Sequence, residues 1–234
     1  MSLFAISDLH LSLADTVDKP MDKFGPEWYD HAERLRVAWT SLVSDNDTVV
    51  VPGDISWGID LEEARPDLAF IDSLPGKKVL LRGNHDYWWT SMKKMRGLFE
   101  TIDFIQNDSY VGEDFVICGT RGWNLPWNIP KEMTKEENEK IFRRELLRME
   151  MSLKSAEPFR SGKKLIVAMH YPPFDPSHKG TLFTEMFEAY GVEQVLYGHL
   201  HGKHREEAVE GRVGKIFYTL VTLDKLDAVP LKII

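Results

Sequence analysis

Five short stretches concentrate the side chains able to do chemistry. They are Asp8-Leu9-His10, Gly53-Asp54, Gly83-Asn84-His85-Asp86, a single His170, and Gly198-His199-Leu200-His201. Asp8, His10, Asp54, Asn84, His170, His199 and His201 are oxygen and nitrogen donors of the kinds that hold metal ions. One structural zinc takes four ligands and would leave donors over. Two ions sharing a bridging carboxylate use the whole set and keep positions open for solvent. Such a pair clamps the attacking and the leaving oxygen of a displacement. The imidazole content favours transition metals (Mn, Fe or Zn) over Mg or Ca, which take oxygen ligands. Two carboxylates, two divalent ions and a bridging hydroxide leave a local charge of about +1, suited to an anionic ester.

These residues need elements to position them. Short apolar runs cover Leu3–Ile6, Thr48–Val51, Lys78–Leu81, Phe115–Cys118, Leu165–Met169, Gln194–Tyr197, Ile216–Leu220 and Ala228–Ile234. Most lack polar alternation, as expected of strands buried on both faces. Each of the five polar clusters follows one of these runs, at the carboxyl end of a strand, where α/β sheets bind ligands. Amphipathic stretches separate the runs. Asp60-Leu61-Glu62-Glu63 and Thr134-Lys135-Glu136-Glu137 read as helix starts, the second as a capping box. The second opens a helix to about Ser155, with Ile141, Phe142, Leu146, Met149 and Leu153 on one face. The first presents Leu61, Ala64, Leu68 and Ile71 to a core. Two further helices are predicted, from about Trp28 to Ser44 and from about Thr90 to Glu100. The first of these would bury Ala32, Leu35, Trp39, Leu42 and Val43, the second Met92, Met95, Leu98 and Phe99. Alternating strands and helices make an α/β chain. The late cluster of strands implies a partly antiparallel sheet.

Asp-x-His, Gly-Asp, Gly-Asn-His-Asp, a lone strand-end His and Gly-His-x-His, in this order from Asp8 to His201, resemble the calcineurin-like metallophosphoesterases. The resemblance implies two mixed β-sheets packed as a sandwich flanked by helices, in one domain over 1–234. It implies that Asp8, His10, Asp54 and His201 hold one metal, and that Asp54, as bridge, holds the second with Asn84, His170 and His199. His85 would then contact the phosphate and protonate the leaving oxygen. Asp86 would orient that imidazole through its other nitrogen. Gly83 would let the backbone turn to present them. The expected activity is hydrolysis of a phosphomonoester or phosphodiester by in-line attack of a metal-bound hydroxide. The alternatives are a nuclease of the same family, a non-catalytic scaffold, and a dinuclear hydrolase of a non-phosphate substrate.

Around these motifs lie aromatics and one arginine. Trp57, Tyr87, Trp88, Trp89, Trp123 and Trp127 are either packing anchors or a rim that stacks a flat group. Arg121 is a candidate phosphate contact or a surface ion pair. His178, in a Pro-rich loop after His170, is a candidate pocket residue, while His31 and His204 default to the surface. The charged helix after Thr134 is either a solvated amphipathic helix or a lid within a helical insertion around residues 123–160.

A net charge of −8 disfavours a protein that grips long nucleic acid, which requires many cations against phosphates. It leaves a small phosphorylated substrate as the expected partner. The N-terminal residues show no basic leader or long apolar stretch, and no run approaches a bilayer span. With Cys118 as the single cysteine, the expected location is the cytoplasm. Cys118 lies in an apolar run with no base beside it, which disfavours a cysteine phosphatase.

Overall fold

The apolar runs form strands of two sheets in the computed structural model, which describes residues 1–234. Along the chain the strands are β1 (Leu3–Ala5), β2 (Thr48–Pro52), β3 (Lys77–Leu81), β4 (Ile102–Phe104), β5 (Ser109–Val111), β6 (Phe115–Thr120), β7 (Lys164–Met169), β8 (Gln194–Tyr197), β9 (Gly211–Val213), β10 (Ile216–Leu220) and β11 (Leu231–Lys232). The first sheet has the order β11-β1-β2-β3-β4 and the second β5-β6-β7-β8-β10-β9. Neighbours β1 to β4 are parallel, as are β6-β7-β8-β10, while β11, β5 and β9 pair antiparallel at the edges. Both sheets are therefore mixed, as the family resemblance implies.

Period-two alternation explains why these runs read as continuously apolar. Leu3, Ala5, Val50, Val79 and Leu81 of the first sheet face Phe115, Ile117, Ile166, Ala168 and Leu196 of the second, forming a core between the sheets. The alternate residues Phe4, Val49, Val51 and Leu80 face outward into a second core with helices α1 (His31–Leu42) and α2 (Leu61–Ser73). On the far side Val116, Cys118, Val167 and Met169 pack with α4 (Lys135–Ala156) and α5 (Leu182–Tyr190). The layers run helix, sheet, sheet, helix.

The Asp60 side chain caps α2 through the Glu62 and Glu63 amides, and Thr134 with Glu137 makes the capping box of α4, as the sequence predicts. Besides the unforeseen edge strands β4, β5 and β9, four elements differ from expectation. The first helix begins at His31, because Gly25-Pro26 holds Trp28 in a separate 3-10 turn and Asp30 is left-handed; its Leu42 is exposed rather than core. The helix expected over 90–100 is one turn, α3 (Met92–Met95), since Arg96 is extended and Gly97 has φ +78°; Leu98 is exposed. The last strand pairs only over Leu231–Lys232, after left-handed Asp227 and Ala228 and a proline at 230 that has no N–H to donate. Helix α5 is unforeseen. Thr181 caps it and left-handed Gly191 ends it, and Phe183 and Phe187 are buried.

Helix α4 is not a lid. Phe142, Met149, Leu153 and Ala156 are buried against the second sheet, and buried Glu145 accepts from Thr120 Oγ1 at 2.6 Å. Asn138 fixes the preceding segment, donating to Leu125 O at 2.9 Å and accepting from Trp123 Nε1 at 2.8 Å. What borders the site is the irregular segment around 123–128 that α4 anchors.

Candidate metal centre

The carboxyl ends of β1, β2, β3, β7 and β8 converge, bringing the seven predicted donors to one place. Loops after β1 and β2 zip together: Asp8 N donates to Gly53 O at 2.9 Å and His10 N to Asp54 O at 3.0 Å. Asp8, His10 and His201 form one cluster, and Asp8, Asp54 and His170 another; within each, one atom per residue lies within 4.8 Å of the others. His201 Nε2 is 3.0 Å from Asp8 Oδ1, and His170 Nε2 is 3.4 Å from Asp54 Oδ2. Asn84 Oδ1 lies 2.7 Å from His170 Nε2 and 3.0 Å from His199 Nδ1, and the two ring nitrogens are 3.2 Å apart.

The backbone is strained where it presents these donors. Asp8, His10, Asp54 and His199 have φ of 59°, 45°, 52° and 76°. Non-glycine residues in this region cost of order 1–3 kcal/mol each and persist where the surroundings fix them. Two glycines permit the close approach. A Cβ on Gly83 would sit 2.1 Å from Asp54 Oδ1, and one on Gly198 2.3 Å from Asp8 Oδ2. Gly83 has no positive φ, so its purpose is contact with Asp54 rather than the sharp turn expected of it.

The electrostatics suit cations. Burial raises Asp54 well above the carboxylate range, reinforced by the charges of Asp8 and Asp86. Burial opposes ionisation of Asp8 too, but the charge and hydrogen bond of His201, with His170 and His10, hold it far below that range. Burial lowers His170 to about 4 and His199 to about 3, leaving both neutral and able to ligate. Burial would also lower His201, yet Asp8 and Asp224 raise it to about 10. Buried His10 Nδ1 has no partner. Two carboxylates and four imidazoles crowded into a largely buried cluster have the donor chemistry to hold metal ions.

A family model for the calcineurin-like phosphoesterases matches residues 1–203. The chain belongs to the calcineurin-like phosphoesterase family. Solved structures share its fold at low identity. The TT1561 protein of Thermus thermophilus superposes with TM-score 0.59 at 11% identity, covering 95% of this chain and 89% of that one. The phosphopantetheinyl hydrolase PptH of Mycobacterium tuberculosis gives 0.55 at 17%, covering 94% and 88%. The AQ665 protein of Aquifex aeolicus, of unknown function, gives 0.51 at 15%, covering 99% and 95%. The Gene 66 protein of Mycobacterium phage L5 is 36% identical over 89 residues, which span 34% of this chain and 37% of that protein.

Within this family fold, several residues lie elsewhere than the sequence reading put them. Asp86 does not orient His85. Its buried carboxylate accepts from the amides of Asp54 (3.0 Å), Ile55 (2.9 Å), Ser56 (3.2 Å) and Gly83 (2.7 Å) and from Trp88 Nε1 (3.0 Å), while His85 Nδ1 is buried without a partner. Asp86 is the clasp that binds the β2 loop to the β3 loop. Arg121 is not a surface ion pair: it is largely buried, 3.8 Å from buried Glu145, and stacks on Trp123 at 4.4 Å. His178 is exposed at the tip of the 175–179 turn and does not itself line the cavities beside the centre, although Asp175 and Pro176 of that turn do. His31 is half-buried against Trp28 rather than at the surface. Trp88 and Trp89 are buried anchors, whereas Trp57 stacks on His10 at 4.9 Å and lies 4.5 Å from His85. Tyr87 is exposed with its edge towards His85 at 6.4 Å.

Sequence reading missed Asp224, which accepts from His201 Nδ1 at 2.9 Å and fixes that ring as carboxylates fix ligating histidines. It follows the run Ile216–Leu220, so the strand-end rule that found the other donors would have found it. Ser7, whose hydroxyl donates to Asp8 Oδ2, and Pro52, whose carbonyl pairs with His170 Nδ1 at 3.1 Å, were also missed.

Proposed function

We propose that the chain is a dinuclear metal-dependent phosphoesterase acting on a small phosphorylated substrate in the cytoplasm. The observation that carries this reading is the meeting of seven donors from five strand ends in one buried, strained cluster. Asp8, His10, Asp54 and His201 would hold one ion; Asp54, Asn84, His170 and His199 the other. Two ions, when bound, supply Lewis acidity and an activated water for in-line attack on phosphorus. Asp224 and the Pro52 carbonyl fix the His201 and His170 rings, so their donor nitrogens stay aimed at the cluster. Trp57 packs on His10 and His85 and holds the two rings in place. His85 is the proposed proton donor to the leaving oxygen. Burial lowers its pKa, and contact with an anionic ester would raise it again. A single buried cysteine supports the cytoplasmic location.

The deciding experiment pairs elemental analysis with hydrolysis of p-nitrophenyl esters after loading with Mn, Fe or Zn. Two ions per chain and metal-dependent turnover are expected. In Asp54→Ala both ions should be lost, because one carboxylate serves both; retention of two ions would refute the bridge. A loaded protein inert towards every phosphate ester would favour the scaffold.

A further inference from the structure

Two cavities open onto the proposed centre, and both are lined by His201. The smaller, about 340 Å³, is walled by Met21, Phe24, Trp28 and Trp57 with His10 and His85. The larger, about 410 Å³, has Trp123, Asn124, Asn128, Asp175, His204 and Glu207 on its walls beside His199. Both fall in the size range of small-molecule sites. Their chemistry differs. The first is aromatic, with Phe24 exposed at 68% for no evident packing reason. The second adds amides and carboxylates to apolar walls that include Leu125, Tyr171 and Phe174, and its His204 pairs with Glu207 at 2.7 Å.

We infer that the substrate is a phosphodiester whose flat, apolar arm leaves into the Phe24–Trp28–Trp57 cavity while its polar arm stays in the Asn124–Asn128 cavity. The inference rests on the phosphoesterase reading above. A monoester has one organic group and needs one cavity; a diester needs two. Charge points the same way. No Lys or Arg lines either cavity, whereas Glu27, Asp175 and Glu207 do. Two cations lie near: Lys19 at the edge of the aromatic cavity, its Nζ 5.9 Å from the Trp57 ring, and Arg121, which faces Glu145 and stacks on Trp123. A monoester dianion meets three carboxylates there with the ions and Lys19 to offset them, and a diester carries a single charge. His85 assigns the arms, because it lines only the aromatic cavity, so the oxygen it reaches belongs to the arm seated there. Water adds to phosphorus as the P–O bond to that arm breaks. One proton of the water ends on the departing alcohol or phenol, and the polar arm keeps the new phosphomonoester.

The test compares kcat/KM for bis-p-nitrophenyl phosphate and p-nitrophenyl phosphate on the metal-loaded protein. It adds binding of two analogues that cannot be hydrolysed: bis(4-nitrobenzyl)phosphinate, a monoanion with two arms, and 4-nitrobenzylphosphonate, a dianion with one. The diester should be favoured at least tenfold, and the phosphinate should bind more tightly than the phosphonate, as followed by tryptophan quenching. Phe24→Ala, at an exposed position, should raise KM for the diester more than it lowers kcat and should weaken the phosphinate at least fivefold. Asn128→Trp, which fills the polar cavity from another exposed position, should cut the diester-to-monoester ratio about tenfold. A monoester turned over as well as the diester, or a phosphonate bound as tightly as the phosphinate, overturns the inference and leaves the phosphoesterase standing. No turnover of either ester with Mn, Fe or Zn overturns the phosphoesterase reading itself.

Discussion

His85 and Asp86 are adjacent in sequence and face opposite ways. Asp86 gathers four backbone amides and the Trp88 indole around one buried carboxylate. Removing it leaves those donors without partners, each costing about 1–3 kcal/mol when buried. Asp86→Ala should therefore destabilise by on the order of 3 kcal/mol or more, measured by denaturant unfolding, and should weaken metal uptake because the β2 and β3 loops come apart. A folded, fully metallated variant with only slower turnover would instead restore the orienting role. His85→Ala should show the converse. Its fold and ions are expected to be intact, with kcat lowered about 10²–10⁴-fold, least for esters with acidic leaving groups that need no proton. Sequence adjacency gave the residues at this site but not their directions. Asn84, His85 and Asp86 read alike as polar strand-end residues, and only the packing of the β2 loop beneath shows which carboxylate turns inward.

At the scale of elements, strands were legible where both faces are apolar and helices where a cap stands before a periodic run. The short edge strands β4, β5 and β9 were not, because Ile102–Phe104, Ser109–Val111 and Gly211–Val213 carry too few residues for a period. Helix α5 escaped because its nine residues are apolar on most sides. Lys78 joins two elements in a way no pattern announces. It begins in β3, is fully buried, and its Nζ donates to Asp72 O and Leu74 O at the end of α2. Burial lowers it to about 8. The folded protein thus sheds this proton from about pH 8, while the unfolded chain keeps it to its ordinary value near 10.5. Between these values the unfolded state binds more protons, so stability contributed at this site rises with pH. Relative to Lys78→Met, the wild type should gain on the order of 2–3 kcal/mol from pH 7.5 to 10.5. Parallel unfolding curves across that range would remove the buried charge from the account.

The whole molecule places its proposed centre where the two sheets part. Asp8, Asp54 and Asn84 come from the first sheet and His170, His199 and His201 from the second, joined otherwise at this end by contacts such as Ser7 N to Val221 O at 2.7 Å. Which run belongs to which sheet cannot be read from residues buried on both sides. The sequence therefore showed that the motifs share strand ends without showing that they bridge two layers. Ions held there would act as a clasp between the layers, relieving the Asp8–Asp54 repulsion that burial sharpens. A ligand that binds only the folded state at a hundredfold its Kd adds about 2.7 kcal/mol, or roughly 5–10 °C for a chain of this size. Chelation should lower the melting temperature by about that amount per ion, and Asp54→Ala should abolish the difference. Hydrogen exchange should locate the loss. Amides after β1, β2, β3, β7 and β8 should exchange faster in the stripped protein, while those at the opposite end, around Lys164 and Lys77, hold their protection. Uniform acceleration would mean that the ions stabilise the fold as a whole, and an unchanged melting temperature would mean that the sheets need no clasp.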